Sequence, residues 1–213
     1  MESEIPANSA QQQLMSVRIP GQSTQKLKKF YDEWSEDYDK HLQSLEWNSP
    51  TFAVDALSKY LPDKHARILD CASGTGIVGV KLTELGYRDI EGVDLSEKCL
   101  NKAREKCVYK TLRCAKLDSE PLDGIEQDTY DAIVCSGGFL TNHLDDNCLK
   151  EWSRIVRSDG VICITVNADC LYLVEGPTLD NLVSDGRLQV VEKRKTTNHI
   201  GKEFGYVIVL KVL

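Results

Sequence analysis

The residues with the clearest chemical potential surround the glycine-rich stretch DCASGTGIVG, residues 70–79. Gly74, Gly76 and Gly79 satisfy the pattern G-x-G-x-x-G, and Asp94 follows in the downstream segment GVDLS. Glycines let a ligand approach the backbone, and the N–H groups at a helix N-terminus attract anions. A carboxylate at the end of the second strand can accept hydrogen bonds from ribose hydroxyls. This spacing predicts a site for an adenosine-containing cofactor.

Asp70 distinguishes between two classes of such cofactors. A dinucleotide would place its pyrophosphate on this turn, where a neighbouring carboxylate would repel it. S-adenosylmethionine has no phosphate, and its α-ammonium group can be fixed by Asp70 directly or through water. We therefore expect S-adenosylmethionine, with S-adenosylhomocysteine as product. A nicotinamide oxidoreductase is the alternative, and a turn-capping role is the alternative for Asp70.

The elements that must position these residues alternate between strand and helix patterns from Arg67 onward. Strands are predicted at RILDCA, DIEGVDLS, VYKTLRCA, YDAIVCSGG and GVICITVN. This alternation predicts a doubly wound α/β fold with a mostly parallel sheet. The last two strand patterns, RLQVVEKRKTTNH and EFGYVIVLKVL, have only a short link and must therefore pair antiparallel. Gly79 falls one turn into the first helix, where we expect it to serve packing.

The N-terminal region divides into two parts. Residues 1–24 are polar, and we expect a flexible tail. Residues 25–213 form one predicted domain, in which the helical pattern over 25–60 suggests a lid or cap.

Composition excludes several classes of function. The 213 residues carry a net charge of −7, which disfavours nucleic-acid binding. The eight cysteines form no C-x-x-C pair, so we expect buried free thiols in a reducing compartment and no metal site. No secretory signal and no apolar run of about 20 residues is present, so we expect no membrane association. A cytoplasmic protein is the expectation, with a nuclear location open.

The motifs resemble those of the Rossmann-like class I S-adenosylmethionine-dependent methyltransferases. ILDCASGTG is similar to their first motif, GVDLS to the second, YDAIVCSGGF to the strand-four motif and RIVRSDGVICIT to the segment entering strand five. FYDEWSEDYDKHL resembles the lid of small-molecule members. The resemblance covers residues 26–213 and is greatest to the Williams–Beuren-region methyltransferase-like family. It implies a seven-stranded sheet with a reversed C-terminal strand, an N-terminal helical lid and methyl transfer.

The resemblance and the strand ends together give a set of expected cofactor contacts. These residues are Tyr31, Trp34, Tyr38, Asp70, Ala72, Ser73, Gly74, Gly76, Asp94, Leu95, Leu117, Asp118 and Cys135. Ala72 stands where the family has its first glycine, and adenine recognition would use the backbone near Leu117 or the Asp118 side chain. The three lid aromatics either lie beside the sulfonium or pack on the core.

The sequence indicates the residues that would contact the methyl acceptor less clearly than those that would contact the cofactor. An in-line displacement needs mainly alignment and exclusion of water. His143 is the candidate general base, while Phe139 and Asn167 are candidate substrate contacts. The acceptor is expected to be a small molecule or an unidentified group. A cofactor-binding protein without catalysis is the second alternative, and a monomer is compatible with the sequence.

Overall fold

The computed structural model describes residues 7–213. The helices are α1 (Ala7–Val17), α2 (Thr24–Trp34), α3 (Tyr38–Ser44), α4 (Ser49–Tyr60), α5 (Ile77–Glu84), α6 (Glu97–Glu105), α7 (Cys148–Ile155) and α8 (Pro177–Ser184), with a 3₁₀ helix at Ala168–Leu173. The strands are β1 (Arg67–Cys71), β2 (Asp89–Asp94), β3 (Thr111–Cys114), β4 (Tyr130–Ser136), β5 (Val156–Asn167), β6 (Leu188–Thr196) and β7 (Gly205–Val212).

One seven-stranded sheet has the order β3-β2-β1-β4-β5-β7-β6. The first five strands pair in parallel, whereas β7 is antiparallel to both β5 and β6. The link between β6 and β7 is too short for a crossover, which forces the hairpin. The predicted doubly wound fold with a reversed C-terminal strand is confirmed. Since the strand order reverses between β1 and β4, the loops after β1, β2 and β4 meet at one edge.

Two cores lie on opposite faces of the sheet because successive side chains of a strand alternate. In β4, Ile133 and Cys135 face the cluster that contains Trp152 of α7. Ala132 and Val134 face the cluster formed with α4 and α5. The central strands are therefore apolar on both faces, as is typical of parallel sheets covered by helices.

The N-terminal segment differs from the expected flexible tail. Residues 7–17 form α1, and its Ala10 and Val17 are buried. Ala10, Leu14 and Val17 are spaced for one helix face, a signal that the polar composition concealed. Asn142 accepts a hydrogen bond from the Gly21 N–H at 2.8 Å, which ties the segment after α1 to the β4–α7 loop. Residues 1–6 of the predicted tail lie outside the described residues.

The predicted lid over 25–60 also divides differently. Helix α4 packs on the sheet, where Ala53 and Leu57 are fully buried in the cluster that contains α5 residues. Within residues 25–60, the helices that contribute side chains to the edge at which the loops meet are α2 and α3, through Leu27, Tyr31 and Tyr38. We use the name "lid" below for these two helices, residues 24–44.

All eight cysteines are free thiols, and six of them are buried. Cys107 and Cys114 are exposed, contrary to the expectation of buried thiols. Across residues 7–213, no helix has the length and apolar character required to span a bilayer.

Candidate functional site

A cavity of about 140 Å³ lies where the carboxyl ends of β1, β2, β3 and β4 meet the lid. Its lining comprises Thr24, Leu27, Tyr31, Tyr38, Ala72, Gly74, Asp94, Leu95, Cys99, Ala115, Lys116, Leu117, Ser136, Gly137, Gly138, Asn142, His143 and Leu144. Its position at the topological switch point is where open α/β sheets bind ligands.

Asp94 ends β2 and reaches the cavity, as the sequence predicts. Its Oδ2 accepts a hydrogen bond from the Gly74 N–H, and its Oδ1 accepts one from the Ser96 N–H, both at 2.8 Å. Burial raises the pKa of this carboxyl, while the backbone donors oppose the shift. Each oxygen keeps a second lone pair, so the carboxylate can still accept hydrogen bonds from a ligand's hydroxyls.

Asp70 lies behind the glycine turn, fully buried and outside the cavity lining. The Tyr109 hydroxyl donates to its Oδ2 at 2.6 Å. Its Oδ1 is buried with no hydrogen-bond partner among the described residues. Burial raises the pKa of Asp70 to about 7, with the hydrogen bond from Tyr109 opposing. Sequence reasoning missed Tyr109, because it comes from a loop before β3 and only the tertiary structure brings it here.

The glycine turn contributes two of its four predicted contacts to the lining. Ala72 and Gly74 line the cavity, with φ angles of 57° and 52° in the left-handed region. Gly76 instead packs on α6, since a Cβ there would lie 3.1 Å from the Cβ of Ala103. Ser73 is also away from the cavity, and its Oγ is buried with no partner among residues 7–213.

Gly79 serves packing, as predicted: it lies against Tyr109 and does not line the cavity. Its N–H donates to the Tyr109 hydroxyl at 3.1 Å. A Cβ at this position would lie 2.7 Å from Cε2 of the same ring. The third glycine of the G-x-G-x-x-G pattern therefore leaves room for the tyrosine that holds Asp70.

The lid supplies aromatic side chains, of which two reach this cavity. Tyr31 and Tyr38 line it. Trp34 is buried behind them, edge-on to Tyr38 with ring centroids 4.7 Å apart, and donates from Nε1 to Nδ1 of His41 at 2.7 Å. The predicted aromatic stripe is thus divided, since Tyr31 and Tyr38 face the cavity while Trp34 packs inside.

Two carboxylates fasten the lid to the loops after β1 and β2. On α2, Asp32 accepts a hydrogen bond from Ser96 Oγ at 2.6 Å. On α3, Asp39 accepts one from Thr75 Oγ1 at 2.5 Å and pairs with Lys106 Nζ at 2.6 Å. These contacts hold the lid over the cavity.

His143 lies on the β4–α7 loop and lines the cavity. Its Nδ1 is 2.8 Å from the Thr141 carbonyl oxygen, which can only accept, so Nδ1 carries the proton. Its Nε2 is 2.9 Å from the Tyr31 hydroxyl, which therefore donates to it. Burial lowers the pKa of His143, which favours the neutral ring. The lone pair of a neutral ring in this form is on Nε2, where it accepts the Tyr31 hydrogen bond at the cavity wall.

Three other predicted residues, Cys135, Phe139 and Asp118, are placed differently from the expectation. Cys135 and Phe139 are fully buried in the core; Phe139 packs edge-on against Trp152 with centroids 5.9 Å apart. Asp118 pairs with Lys116 at 2.9 Å and does not line the cavity, whereas Leu117 does. Asn167 lines a smaller neighbouring cavity. Strand patterns locate the ends of strands but not the side to which each following side chain turns.

Comparison with known proteins identifies the kind of domain to which this chain is similar. Residues 68–160 match a family model described as a methyltransferase domain. The chain is 35% identical over 163 residues to Methyltransferase-like protein 27 of Homo sapiens, covering 74% of this chain and 66% of that protein. It is 28% identical over 153 residues to a glycine/sarcosine N-methyltransferase of Aphanothece halophytica, covering 69% of this chain and 56% of that protein.

Solved structures share the fold at low sequence identity. A 1,6-didemethyltoxoflavin-N1-methyltransferase of Burkholderia thailandensis, solved with S-adenosylhomocysteine, has a TM-score of 0.63 and 18% identity, with 91% of this chain and 92% of that chain covered. The [4+2]-cyclase SpnF has a TM-score of 0.65 and 11% identity, with 91% and 97% covered. The fold alone therefore does not determine the reaction.

Proposed function

This chain belongs to the class I S-adenosylmethionine-dependent methyltransferases, and from that premise we propose that it methylates a small molecule by in-line transfer with His143 as general base. The 35% identity to the human Methyltransferase-like protein 27 supports placing it in the Williams–Beuren-region methyltransferase-like family. The observation that carries the proposal is one cavity lined by Asp94, by the glycine turn and by the hydrogen-bonded pair of Tyr31 and His143.

The charges around the cavity suit this cofactor better than a dinucleotide. Two buried or partly buried carboxylates, Asp70 and Asp94, lie near the glycine turn. The lining cation, Lys116, is paired with Asp118. The negative charge of Asp94 at the lining and of ionised Asp70 behind the turn would repel a pyrophosphate and attract the ammonium and sulfonium groups of S-adenosylmethionine.

The residues present fit the parts of that cofactor. Asp94 would hold the ribose hydroxyls, and the Leu117 backbone lies at the cavity where an adenine could be met. Behind the turn and outside the lining, Oδ1 of Asp70 and Oγ of Ser73 are buried with no hydrogen-bond partner among the described residues. We propose that Asp70 acts on the ammonium group through water. When bound, S-adenosylmethionine supplies a methyl group already activated by the positive sulfur.

The chain's own contribution is alignment, exclusion of water and removal of a proton. Tyr31 and Tyr38 present aromatic surface to the cavity, where cation–π attraction to a sulfonium contributes about 1 kcal/mol. The lid forms one wall of the cavity, through Leu27, Tyr31 and Tyr38, and would limit the access of water to the reacting atoms. The neutral Nε2 of His143 would accept the proton that the acceptor atom loses as its new bond to the methyl group forms. For this proton transfer, the Tyr31 hydroxyl must move away from Nε2 so that the methyl acceptor can contact that nitrogen.

The enclosure also indicates the size of the acceptor. The lid is attached through Asp32 and Asp39 across the loops that carry the cofactor residues. We infer that a macromolecular acceptor would require these attachments to open, whereas a small molecule would not. We therefore propose a small-molecule acceptor.

Calorimetry with S-adenosylhomocysteine and a transfer assay with a radiolabelled methyl group test this proposal together. We expect micromolar binding of S-adenosylhomocysteine and label transferred to a fraction of a small-molecule extract. Tight binding without transfer to any fraction would favour a non-catalytic cofactor-binding protein. Absence of binding would contradict the cofactor assignment.

A further inference from the structure

A second cavity of about 30 Å³ adjoins the first, and its residues suggest which acceptors the enzyme takes. The two cavities share Tyr31, Tyr38 and Gly137 in their linings. Gly137 has a φ of 74°, and a Cβ there would lie 2.8 Å from the Trp47 ring. The glycine therefore lets Trp47 close the second cavity against the end of β4.

Arg18 is the one charged residue in the part of this lining that belongs to residues 7–213. It follows α1, and its side chain is only 16% exposed. Its Nε is buried and has no hydrogen-bond partner among the described residues. A guanidinium this enclosed is stabilised by an anion that takes more than one of its N–H groups.

The anion that Arg18 meets in this structure is Glu203, on the β6–β7 hairpin. Arg18 Nη2 lies 3.1 Å from Oε2 of Glu203. The Asn167 Nδ2 donates to the same oxygen at 3.2 Å. Two largely buried donors that line the cavity thus converge on one oxygen of a carboxylate that is itself 49% exposed. The two hydrogen-bond donors line the cavity, whereas Glu203, which accepts from them, is about half exposed to solvent.

We propose that Arg18 and Asn167 form the recognition site for a carboxylate on the methyl acceptor, and that the Glu203 carboxylate occupies this site until the acceptor displaces it. The proposal rests on the proposed function, since it names the substrate class of the same active site. The rest of the acceptor would lie against the apolar wall that includes Trp34, Trp47 and Leu140. Its nucleophilic atom would point across Tyr31 and Tyr38 toward the first cavity.

Propionate and propionamide, which differ in charge but little in shape, test the proposal on the full chain saturated with S-adenosylhomocysteine. The chain has three tryptophans, so its indole N–H signals in a ¹⁵N-resolved NMR spectrum can be followed separately. Trp34 and Trp47 line the second cavity, while Trp152 is buried in the core and serves as the internal reference. We expect propionate to shift the signals of Trp34 and Trp47 but not that of Trp152, and propionamide to shift none.

Three variants test the site residues. Arg18→Met should weaken propionate binding roughly 30-fold, as for the loss of one partner of a buried charged pair. Glu203→Gln should tighten it, because the internal competitor loses its charge; this exposed position also keeps the test valid if Arg18→Met folds poorly. Arg88→Met, an exposed arginine outside both cavities, should leave binding unchanged.

The carboxylate site would be overturned if the NMR titrations with propionate and propionamide had equal midpoints. It would also be overturned if the indole signals of Trp34 and Trp47 did not respond to propionate. A Glu203→Gln protein that binds propionate more weakly than the wild type would overturn it as well. Calorimetry on the same samples first establishes S-adenosylhomocysteine binding. Failure there would overturn the proposed function instead, so the two failures are distinguishable.

Discussion

The Tyr31 hydroxyl lies 2.9 Å from Nε2 of His143, so a side chain of the lid donates a hydrogen bond directly to the candidate base. The two residues are 112 positions apart in the chain. Lid position and the availability of the base are therefore coupled, because the acceptor can reach Nε2 only when the Tyr31 hydroxyl moves.

The first prediction concerns the acid limb of the pH profile for methyl transfer. Burial lowers the pKa of His143 below its ordinary value of 6.5, so the base is neutral at pH 7. We therefore expect kcat/KM to fall only when the pH is lowered below 6.5, where the ring begins to be protonated. Tyr31→Phe removes a donor to the neutral form, which raises the pKa of His143 and moves the acid limb to higher pH. Initial rates between pH 5 and 8 measure the acid limb of the wild type and of Tyr31→Phe.

The variant His143→Asn tests the base directly. It should lower kcat about 10²-fold or more while the affinity for S-adenosylhomocysteine is kept. An unchanged kcat would show that His143 is not the general base.

The second prediction concerns the cofactor ribose. Asp94→Asn keeps one oxygen for the backbone N–H groups but loses the charge and one acceptor. We expect S-adenosylhomocysteine to bind about 1–3 kcal/mol more weakly by calorimetry. Asp118→Asn is the matched control, because Asp118 lies outside the cavity lining, and it should bind normally. Equal losses in both variants would contradict the assignment.

The third prediction is a pH dependence of S-adenosylmethionine affinity. The pKa of Asp70 is about 7, so its carboxyl is neutral below that pH and charged above it. Because the ammonium group is attracted to the charged form, Kd should rise as the pH falls below 7, by up to about tenfold per unit. Asp70→Asn should remove this dependence, whereas His143→Asn should keep it. Binding titrations with S-adenosylmethionine at pH values from 5.5 to 8.5 measure this dependence. A wild-type Kd that does not change with pH would show that the Asp70 charge has no role in binding.

The fourth prediction concerns packing behind the glycine turn. Gly79→Ala places a methyl group against the Tyr109 ring and must displace it. Alanine favours a helix, but overpacking here costs about 1–3 kcal/mol. We expect a net loss in the free energy of unfolding, measured by urea denaturation, and weaker S-adenosylmethionine binding because Tyr109 holds Asp70. In the double variant Gly79→Ala/Tyr109→Ala the two losses should be less than additive; full additivity would show that the methyl group does not meet the ring.

The fifth prediction concerns the attachment of the lid. Asp39 joins α3 to Thr75 and to Lys106. Its side chain is 45% exposed, so Asp39→Asn should change the free energy of unfolding by less than about 1 kcal/mol. The dissociation rate of S-adenosylhomocysteine, measured by stopped flow, should nevertheless increase. Lys29→Gln, which breaks an exposed pair on the same lid, is the control. A dissociation rate unchanged by Asp39→Asn would mean that the lid does not limit cofactor release.

Much of the fold could be predicted from the sequence because its signals are local. Alternating apolar runs, the short link before β7 and Ser96 as the cap of α6 follow from residues close together in the chain. The positions of Asp94 and Gly74 at the site follow in the same way, since both end or follow a central strand.

The N-terminal helix shows where local signals fail. Its apolar residues Ala10, Leu14 and Val17 are too few for a helix to be stable alone, so composition predicted a tail. Contacts with the β4–α7 loop and the β6–β7 hairpin, at Asn142 and Glu203, give the segment its place.

The sequence by itself determined the order of the elements, the glycine turn and the carboxylate after β2, because these depend on spacing along the chain. Only the tertiary structure decided that Tyr109 meets Asp70, that Tyr31 meets His143 and that Phe139 and Cys135 turn into the core. These outcomes depend on which distant loops share one sheet edge and on the face to which each side chain turns. The spacing of residues along the chain gives no information about either of these.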